Sequence, residues 1–77
     1  GPDPDRRVLR REMRDRLSAA LEGLPDRQRA VVVLRHYQEM SLDEIAQTLG
    51  MRLGTVKSTL HRALGRMRTG LRGELQP

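Results

Sequence analysis

The side chains best suited to bind a ligand lie in the last third of this 77-residue chain. Residues 50–77 contain six basic residues and a single acid, Glu74, whereas residues 1–49 contain nine of each sign. The whole formal net charge of +5 therefore comes from the last third. A surface of one sign is what a polyanion selects, since a merely solvated surface usually mixes signs. The six basic residues are Arg52, Lys57, Arg62, Arg66, Arg68 and Arg72.

The sequence has few of the residues that catalysis, metal binding or base stacking requires. The absence of Cys removes disulfides, a thiolate nucleophile and a cysteine zinc site. The single aromatic residue, Tyr37, leaves no platform on which bases could stack. His36 and His61 are far apart in sequence and no glycine-rich phosphate loop is present, so we expect no enzyme, no cofactor, no metal and no small-molecule substrate. No apolar run reaches the roughly 18–20 residues of a membrane span and no signal peptide is visible, which predicts a cytoplasmic protein with no membrane partner.

The basic residues belong to a predicted helix that runs from about Gly54 to Leu71. At the helical step, its apolar positions fall within an arc of about 100°, and everything polar occupies the remainder. A helix of this kind fits the major groove of B-DNA, where its N-terminal part reads base edges. The predicted apolar positions are Val56, Leu60, Ala63, Leu64, Met67 and Leu71.

The polar side of this helix divides into base-reading and phosphate-binding candidates. Arg62 can pair bidentately with a guanine, and Lys57 can donate to guanine acceptors. We predict base contacts for Lys57, Ser58, His61 and Arg62, with Thr55 and Thr59 at the margins. The remaining candidates hold phosphates, which position a protein without reading sequence, and they are Arg52, Arg66 and Arg68.

A short helix and a tight turn precede the basic helix. Ser41 and Glu44 have the spacing of a capping box, in which each side chain accepts from the other residue's backbone amide. Gly50 supplies the positive φ that ends this helix in a tight turn. A short helix, a glycine-containing turn and a longer basic helix are the pattern of a helix-turn-helix. The inward positions of the short helix are Leu42, Ile45, Ala46 and Leu49.

Two further helices are predicted upstream. The first runs from about Asp5 to Glu22, with an apolar stripe of Leu9, Met13, Leu17, Ala20, Leu21 and Leu24. The second begins at Pro25-Asp26 and runs to about Tyr37, with an inward arc of Ala30, Val31, Val33, Leu34 and Tyr37. Val32 points away from that arc, so either the first helix covers it or it is exposed for a partner.

The predicted fold is all-α, a compact four-helix domain with a C-terminal helix-turn-helix. Residues 1–4 read as a tag scar and disordered lead, because Gly1-Pro2 resembles what a protease leaves behind. Residues 5–72 form the predicted domain, and residues 73–77 a frayed tail.

The sequence resembles region 4 of bacterial sigma-70-family sigma factors, most closely the extracytoplasmic-function group, from about Leu17 to Leu71. The sharpest part is the string Gly54-Thr55-Val56-Lys57-Ser58 followed by Leu60-His61-Arg62-Ala63. The other matching strings are Leu24-Pro25, Arg27-Gln28-Arg29-Ala30-Val31, Leu34-Arg35, Ser41, Glu44-Ile45-Ala46 and Leu49-Gly50. Two positions depart from the family pattern: Arg52-Leu53 occupy a turn that often carries a good helix cap, and Thr59 stands where many members have Arg.

The resemblance implies a role in transcription initiation. In the family, the last helix binds the −35 promoter element in the major groove, and Lys57, Ser58, His61 and Arg62 match the DNA-contacting positions. The first helices contact the flap-tip helix of the RNA polymerase β subunit, and anti-sigma factors often cover the same surfaces. Our candidates for that partner contact are Leu17, Leu21, Val32, Val33 and Tyr37.

Two alternatives remain open from the sequence. The first is the DNA-binding domain of a LuxR-type response regulator, which shares the Glu44-Ile45-Ala46 and Thr55-Val56-Lys57 pattern. The second is a protein-interaction module that does not bind DNA itself. An upstream sigma region 2 or a phospho-receiver domain would decide the first alternative, and a binding assay with purified domain the second.

Overall fold

The computed structural model describes the backbone of residues 4–75 and the side chains of residues 5–71. Its elements are α1 (Pro4–Glu22), α2 (Asp26–Val32), a π-helical segment (Val33–Tyr37), α3 (Leu42–Leu49) and α4 (Leu53–Leu75). All regular structure within the described residues is helical, which confirms the predicted all-α class and the helix-turn-helix. The predicted scar Gly1-Pro2 and the end of the predicted tail, residues 76–77, lie outside the described residues.

The turn between α1 and α2 is held by Arg29. Its guanidinium donates to the backbone carbonyls of Glu22 and Leu24, both at 3.2 Å, and to the Asp26 carboxylate at 2.5 Å. The carbonyls at a helix C-terminus lack partners within the helix, so a cation there satisfies them and also suits the helix dipole. Arg29 therefore fixes the angle at which α1 meets α2.

The end of the second helix differs from the prediction. After Val32 the helix widens into a π-helical turn, in which the Gln38 amide donates to the Val33 carbonyl five residues back, at 3.1 Å. A π turn changes the angular step, so positions beyond it leave the α-helical pattern. Tyr37, predicted to point inward, is 60% exposed as a result. The helix ends at Tyr37, and Glu39, two residues later, has a φ of 54°.

The capping box of α3 is present as predicted. The Ser41 hydroxyl accepts from the Glu44 amide, and the Glu44 carboxylate accepts from the Ser41 amide, both at 3.1 Å. At the other end Gly50 adopts φ 64°, and Met51 donates back to the Ala46 carbonyl at 2.9 Å. This pair of features is a Schellman ending, which closes the helix and turns the chain sharply into α4.

Two apolar clusters hold the helices together. The first joins α2 to the helix-turn-helix and consists of Val31, Ile45, Met51 and Val56, with Leu34, Met40, Leu42, Ala46, Leu49 and Leu60 packed against it. The second joins the end of α1 to α2 and α4 and consists of Leu24, Val32 and Ala63, with Leu21, Leu60 and Met67 around it. The four inward positions predicted for α3 are therefore all in the first cluster. α4 contacts α1, α2 and α3, so the other helices serve as its support.

The same clusters decide the open question about Val32. Its side chain is 3% exposed and packs against Leu24 and Ala63, so the core interpretation is confirmed. A residue already buried within the chain is unavailable to a partner, and the prediction of Val32 as a partner contact is wrong.

Candidate nucleic-acid interface

α4 is anchored along one side and exposed along the other. Val56 and Ala63 are fully buried, while Leu60, Met67 and Leu71 are partly buried. The helix begins at Leu53, directly after the Gly50 turn, and the Val56 amide donates to the Arg52 carbonyl at 3.0 Å. It continues to Leu75, four residues beyond the predicted end, because Arg72 and Glu74 favour a helix and Pro77 comes only later. The polar side of this long helix is thus presented by a fixed body.

Most predicted DNA contacts lie together on the exposed side of α4 or in the turn before it. The exposed members are Arg52, Thr55, Lys57, Ser58, His61, Arg62, Arg66 and Arg68. Residues at positions i, i+3, i+4 and i+7 share a helical face, so Ser58 and Arg62 form one row and Lys57, His61 and Arg68 another. These side chains spread over about half of the circumference of α4, and no acid from residues 53–71 lies among them.

Thr59 is the exception within the predicted set. Its side chain is 8% exposed and belongs to the buried side of the helix. Ala63, one turn further along, packs against Leu24 and Val32, so the α1–α2 corner covers this side. Leu64, on the opposite margin, is 37% exposed although it was predicted to be inward. The buried side is therefore rotated by roughly 50° toward Thr59 relative to the apolar arc of the sequence. Thr59 is consequently removed from the surface that a ligand can reach.

The electrostatics of the exposed side are those of free cations. Among residues 6–71, the ion pair present is Arg29–Asp26, so the guanidinium groups of Arg62 and Arg66 have no carboxylate from these residues to compete with a ligand. The Ser58 hydroxyl donates to the Thr55 carbonyl at 3.1 Å and keeps its lone pairs for accepting. A row of unpaired cations beside a short hydroxyl can bind phosphates and donate to base acceptors.

The predicted partner contacts do not form one surface. Leu17 and Leu21 are half-buried, and Leu21 packs against the second cluster. Val33 is half-buried and lines an apolar groove between α2 and the end of α3, whereas Tyr37 is largely exposed. Sequence reasoning missed most of this groove, because its two walls come from helices whose approach cannot be read from periodicity. The groove is lined by Asp26, Arg29, Ala30, Val33, Leu34, Thr48 and Leu49.

Two further observations concern the described residues alone. No group of three or more His, Cys, Asp or Glu side chains there is arranged to hold a metal ion. None of the helices between residues 4 and 75 combines the length and the apolar character that crossing a membrane requires.

The buried core between α3 and α4, together with the exposed basic side of α4, is the architecture of a helix-turn-helix binding domain. The model of the family "Sigma-70, region 4" matches residues 14–67, which is most of the chain. The chain therefore belongs to the sigma-70 region 4 family, and its relatives place it with the extracytoplasmic-function sigma factors. This match decides against the LuxR-type alternative.

Three curated relatives illustrate the similarity. The RNA polymerase sigma-E factor of Streptomyces antibioticus is 58% identical over 55 residues, covering 71% of this chain and 31% of the relative. The ECF RNA polymerase sigma factor SigE of Mycolicibacterium smegmatis is 48% identical over 52 residues, covering 68% and 20%. The ECF RNA polymerase sigma factor SigW of Bacillus subtilis is 36% identical over 69 residues, covering 90% and 37%. The chain thus spans between 20% and 37% of the length of these relatives.

Proposed function

We propose that this domain binds the −35 element of promoters through the exposed side of α4, as the promoter-recognition module of a sigma factor in transcription initiation. The observation that carries the proposal is the unpaired basic surface of α4, which includes Lys57, His61 and Arg62. The domain binds rather than catalyses. This role places it in the cytoplasm, with RNA polymerase.

Within that surface the two kinds of DNA contact differ by position along the helix. Lys57, Ser58, His61 and Arg62 occupy the first half of α4, the part of a recognition helix that approaches base edges. The first half also follows directly on the rigid Gly50 turn, so its approach to the groove is fixed. The phosphate candidates are placed differently: Arg52 precedes the helix, Thr55 is in its first turn, and Arg66 and Arg68 are in its second half.

The second binding function we propose is docking on the flap of the RNA polymerase β subunit. The apolar groove that includes Val33, Leu34 and Leu49 is lined by residues of α2, the π-helical segment and α3, and by no residue of α4. An amphipathic helix can lay its apolar face into such a groove. The domain can therefore bind polymerase and promoter at the same time. An anti-sigma factor that covers the groove would block the contact with polymerase.

A selection from randomised duplexes tests DNA recognition. The 77-residue chain and its Arg62→Ala variant are each used to enrich duplexes at about 50 mM salt. We expect the wild-type chain to enrich one short motif, and the variant to enrich a motif that is relaxed at one base pair. Failure of the wild-type chain to bind any duplex would favour the alternative of a module that only binds proteins.

Binding of variants to polymerase core and to the selected duplex, measured separately, tests the groove. A Val33→Asp variant places a charge in the half-buried wall of the groove. The control is Lys57→Ala, which changes the proposed DNA-binding side of α4 and leaves the groove intact. We expect Val33→Asp to lose binding to polymerase core while it keeps binding to the selected duplex. Equal polymerase binding by both variants would refute docking at the groove.

A further inference from the structure

The N-terminal half of α1 carries a surface that neither DNA binding nor the groove uses. Three large apolar side chains are exposed there: Val8 at 56%, Leu9 at 63% and Met13 at 50%. Leu9 and Met13 belong to the apolar stripe of α1, whereas Val8 lies about 100° around the helix from Leu9. The C-terminal end of α1 packs into the second cluster through Leu21, but the stripe continues past the body of the domain without cover. A solvated helix has no need of apolar side chains at successive turns of one face.

Beside this stripe lies a row of four arginines. Arg7, Arg10, Arg11 and Arg14 are spaced at three and four residues and together line a shallow surface cleft. The four arginines share an arc of about 100° that begins next to Met13. The acids in this half of α1, among them Glu12, lie on a different side of the helix. Among residues 6–71, no carboxylate pairs with any of the four guanidinium groups.

DNA is a poor match for this surface. The end of α1 packs on the apolar side of α4, against Ala63 and Met67, so α1 lies behind the basic side that faces a duplex. A phosphate backbone also offers nothing to exposed Leu9 and Met13. A protein helix with an apolar seam flanked by carboxylates matches both parts, because guanidinium and carboxylate form charge-assisted pairs while the seams bury each other.

We propose that the N-terminal half of α1 is a docking surface for an acidic amphipathic helix of a partner protein. Leu9 and Met13 provide the apolar contact, and Arg7, Arg10, Arg11 and Arg14 select the negative charge. The surface is separate from the exposed side of α4 and from the groove, so the partner can bind while both are occupied.

Two model peptides test this proposal with the 77-residue chain. Both are 21-residue labelled helices with the same leucine seam, flanked by Glu in one and by Lys in the other. Fluorescence polarisation measures their binding to the wild-type chain, to Arg10→Gln/Arg14→Gln and to Leu9→Ala/Met13→Ala. The matched control is Arg52→Gln/Arg66→Gln, and every protein is also titrated with the selected duplex.

We expect the wild-type chain to bind the Glu peptide and not the Lys peptide. Removing two exposed charges should weaken Glu-peptide binding by about tenfold at low salt, since such pairs each contribute up to about a factor of five. The Leu9→Ala/Met13→Ala variant should weaken it to a similar degree, and circular dichroism should show unchanged helix content because all four side chains are exposed. The control should keep peptide binding and lose duplex binding.

Three outcomes would overturn the proposal. Equal binding of the two peptides would show that the arginines do not select negative charge. No binding of either peptide would show that the surface is only solvated. A loss of duplex binding in Arg10→Gln/Arg14→Gln as large as in the control would make the row a DNA surface. If the wild-type chain binds the Glu peptide but no duplex, the proposed promoter function fails and the docking surface stands.

Discussion

Replacing Gly50 and Gly65 by alanine makes the same chemical change with opposite predicted effects on stability. Gly50 adopts φ 64° in the turn before α4, where an alanine pays about 1–2 kcal/mol for the left-handed conformation. Alanine also restricts the unfolded chain more than glycine does, which stabilises the folded state by about 0.4–1 kcal/mol. We therefore expect a net destabilisation of about 1 kcal/mol. An added Cβ meets nothing within 4 Å at either glycine, so sterics contribute to neither number.

Gly65 lies inside α4 with ordinary helical backbone, where alanine is favoured by about 0.5–1 kcal/mol. The two variants should therefore differ by about 1.5–2 kcal/mol in free energy of unfolding. In a domain of this size 1 kcal/mol moves the Tm by about 4–8 °C, so thermal unfolding followed by circular dichroism separates them clearly. Gly50→Asn is the control, because asparagine tolerates the left-handed region better than alanine.

A Gly50→Ala variant as stable as the wild type would refute the reasoning, since the turn would then not depend on a left-handed residue. A destabilised Gly65→Ala would refute the other half. The experiment bears on function because the Gly50 turn sets the direction in which α4 leaves α3. We expect Gly50→Ala to weaken duplex binding as well as stability.

The remaining predictions concern the cap, the core and the DNA contacts. Ser41→Ala should cost about 1 kcal/mol at pH 7. The backbone hydrogen bond from Ser41 lowers the pKa of Glu44, so the stabilisation by the Glu44 carboxylate is present above pH 4.5 and is lost as the pH falls through the lowered pKa. Urea unfolding of Glu44→Ala and the wild type at pH 7 and pH 3 should therefore show the gap between them shrinking at pH 3, and a constant gap would contradict the reciprocal cap. Val32→Ala should cost about 2 kcal/mol because its side chain is buried, whereas exposed Val8→Ala should cost less than about 0.5 kcal/mol, and equal losses would contradict the second cluster. With about five phosphate contacts, the logarithm of the duplex binding constant should fall with the logarithm of salt at a slope of roughly −4 to −5, and a slope near zero would exclude phosphate binding.

Local signals in the sequence were sufficient for the helix-turn-helix. The capping box at Ser41 and the glycine at position 50 act within one turn of chain, and both appear in the structure as predicted. The polar side of α4 was also predictable, because periodicity and charge agree along the whole helix.

The errors come from tertiary contacts that periodicity does not contain. Thr59 is buried because the α1–α2 corner approaches α4 off the centre of its apolar arc. Tyr37 is exposed because a π turn intervenes, and no residue type announces such a turn. Val32 was ambiguous until the packing of α1 was known. Thr59 lies at the margin of a helical face, where a rotation of about half a residue step changes burial, whereas Val32 lies opposite the inward arc and is buried because a second neighbour covers that side.

A comparison of Arg62→Ala with Arg68→Ala shows whether the exposed side of α4 reads base sequence. Binding of each variant is measured against the selected duplex and a full set of single-base-pair changes at one salt concentration. We expect Arg62→Ala to lose about 1–3 kcal/mol of binding free energy on the selected duplex and to lose discrimination at one base pair. Arg68→Ala should weaken all duplexes equally. A uniform loss in Arg62→Ala, or no loss at all, would contradict base reading by α4.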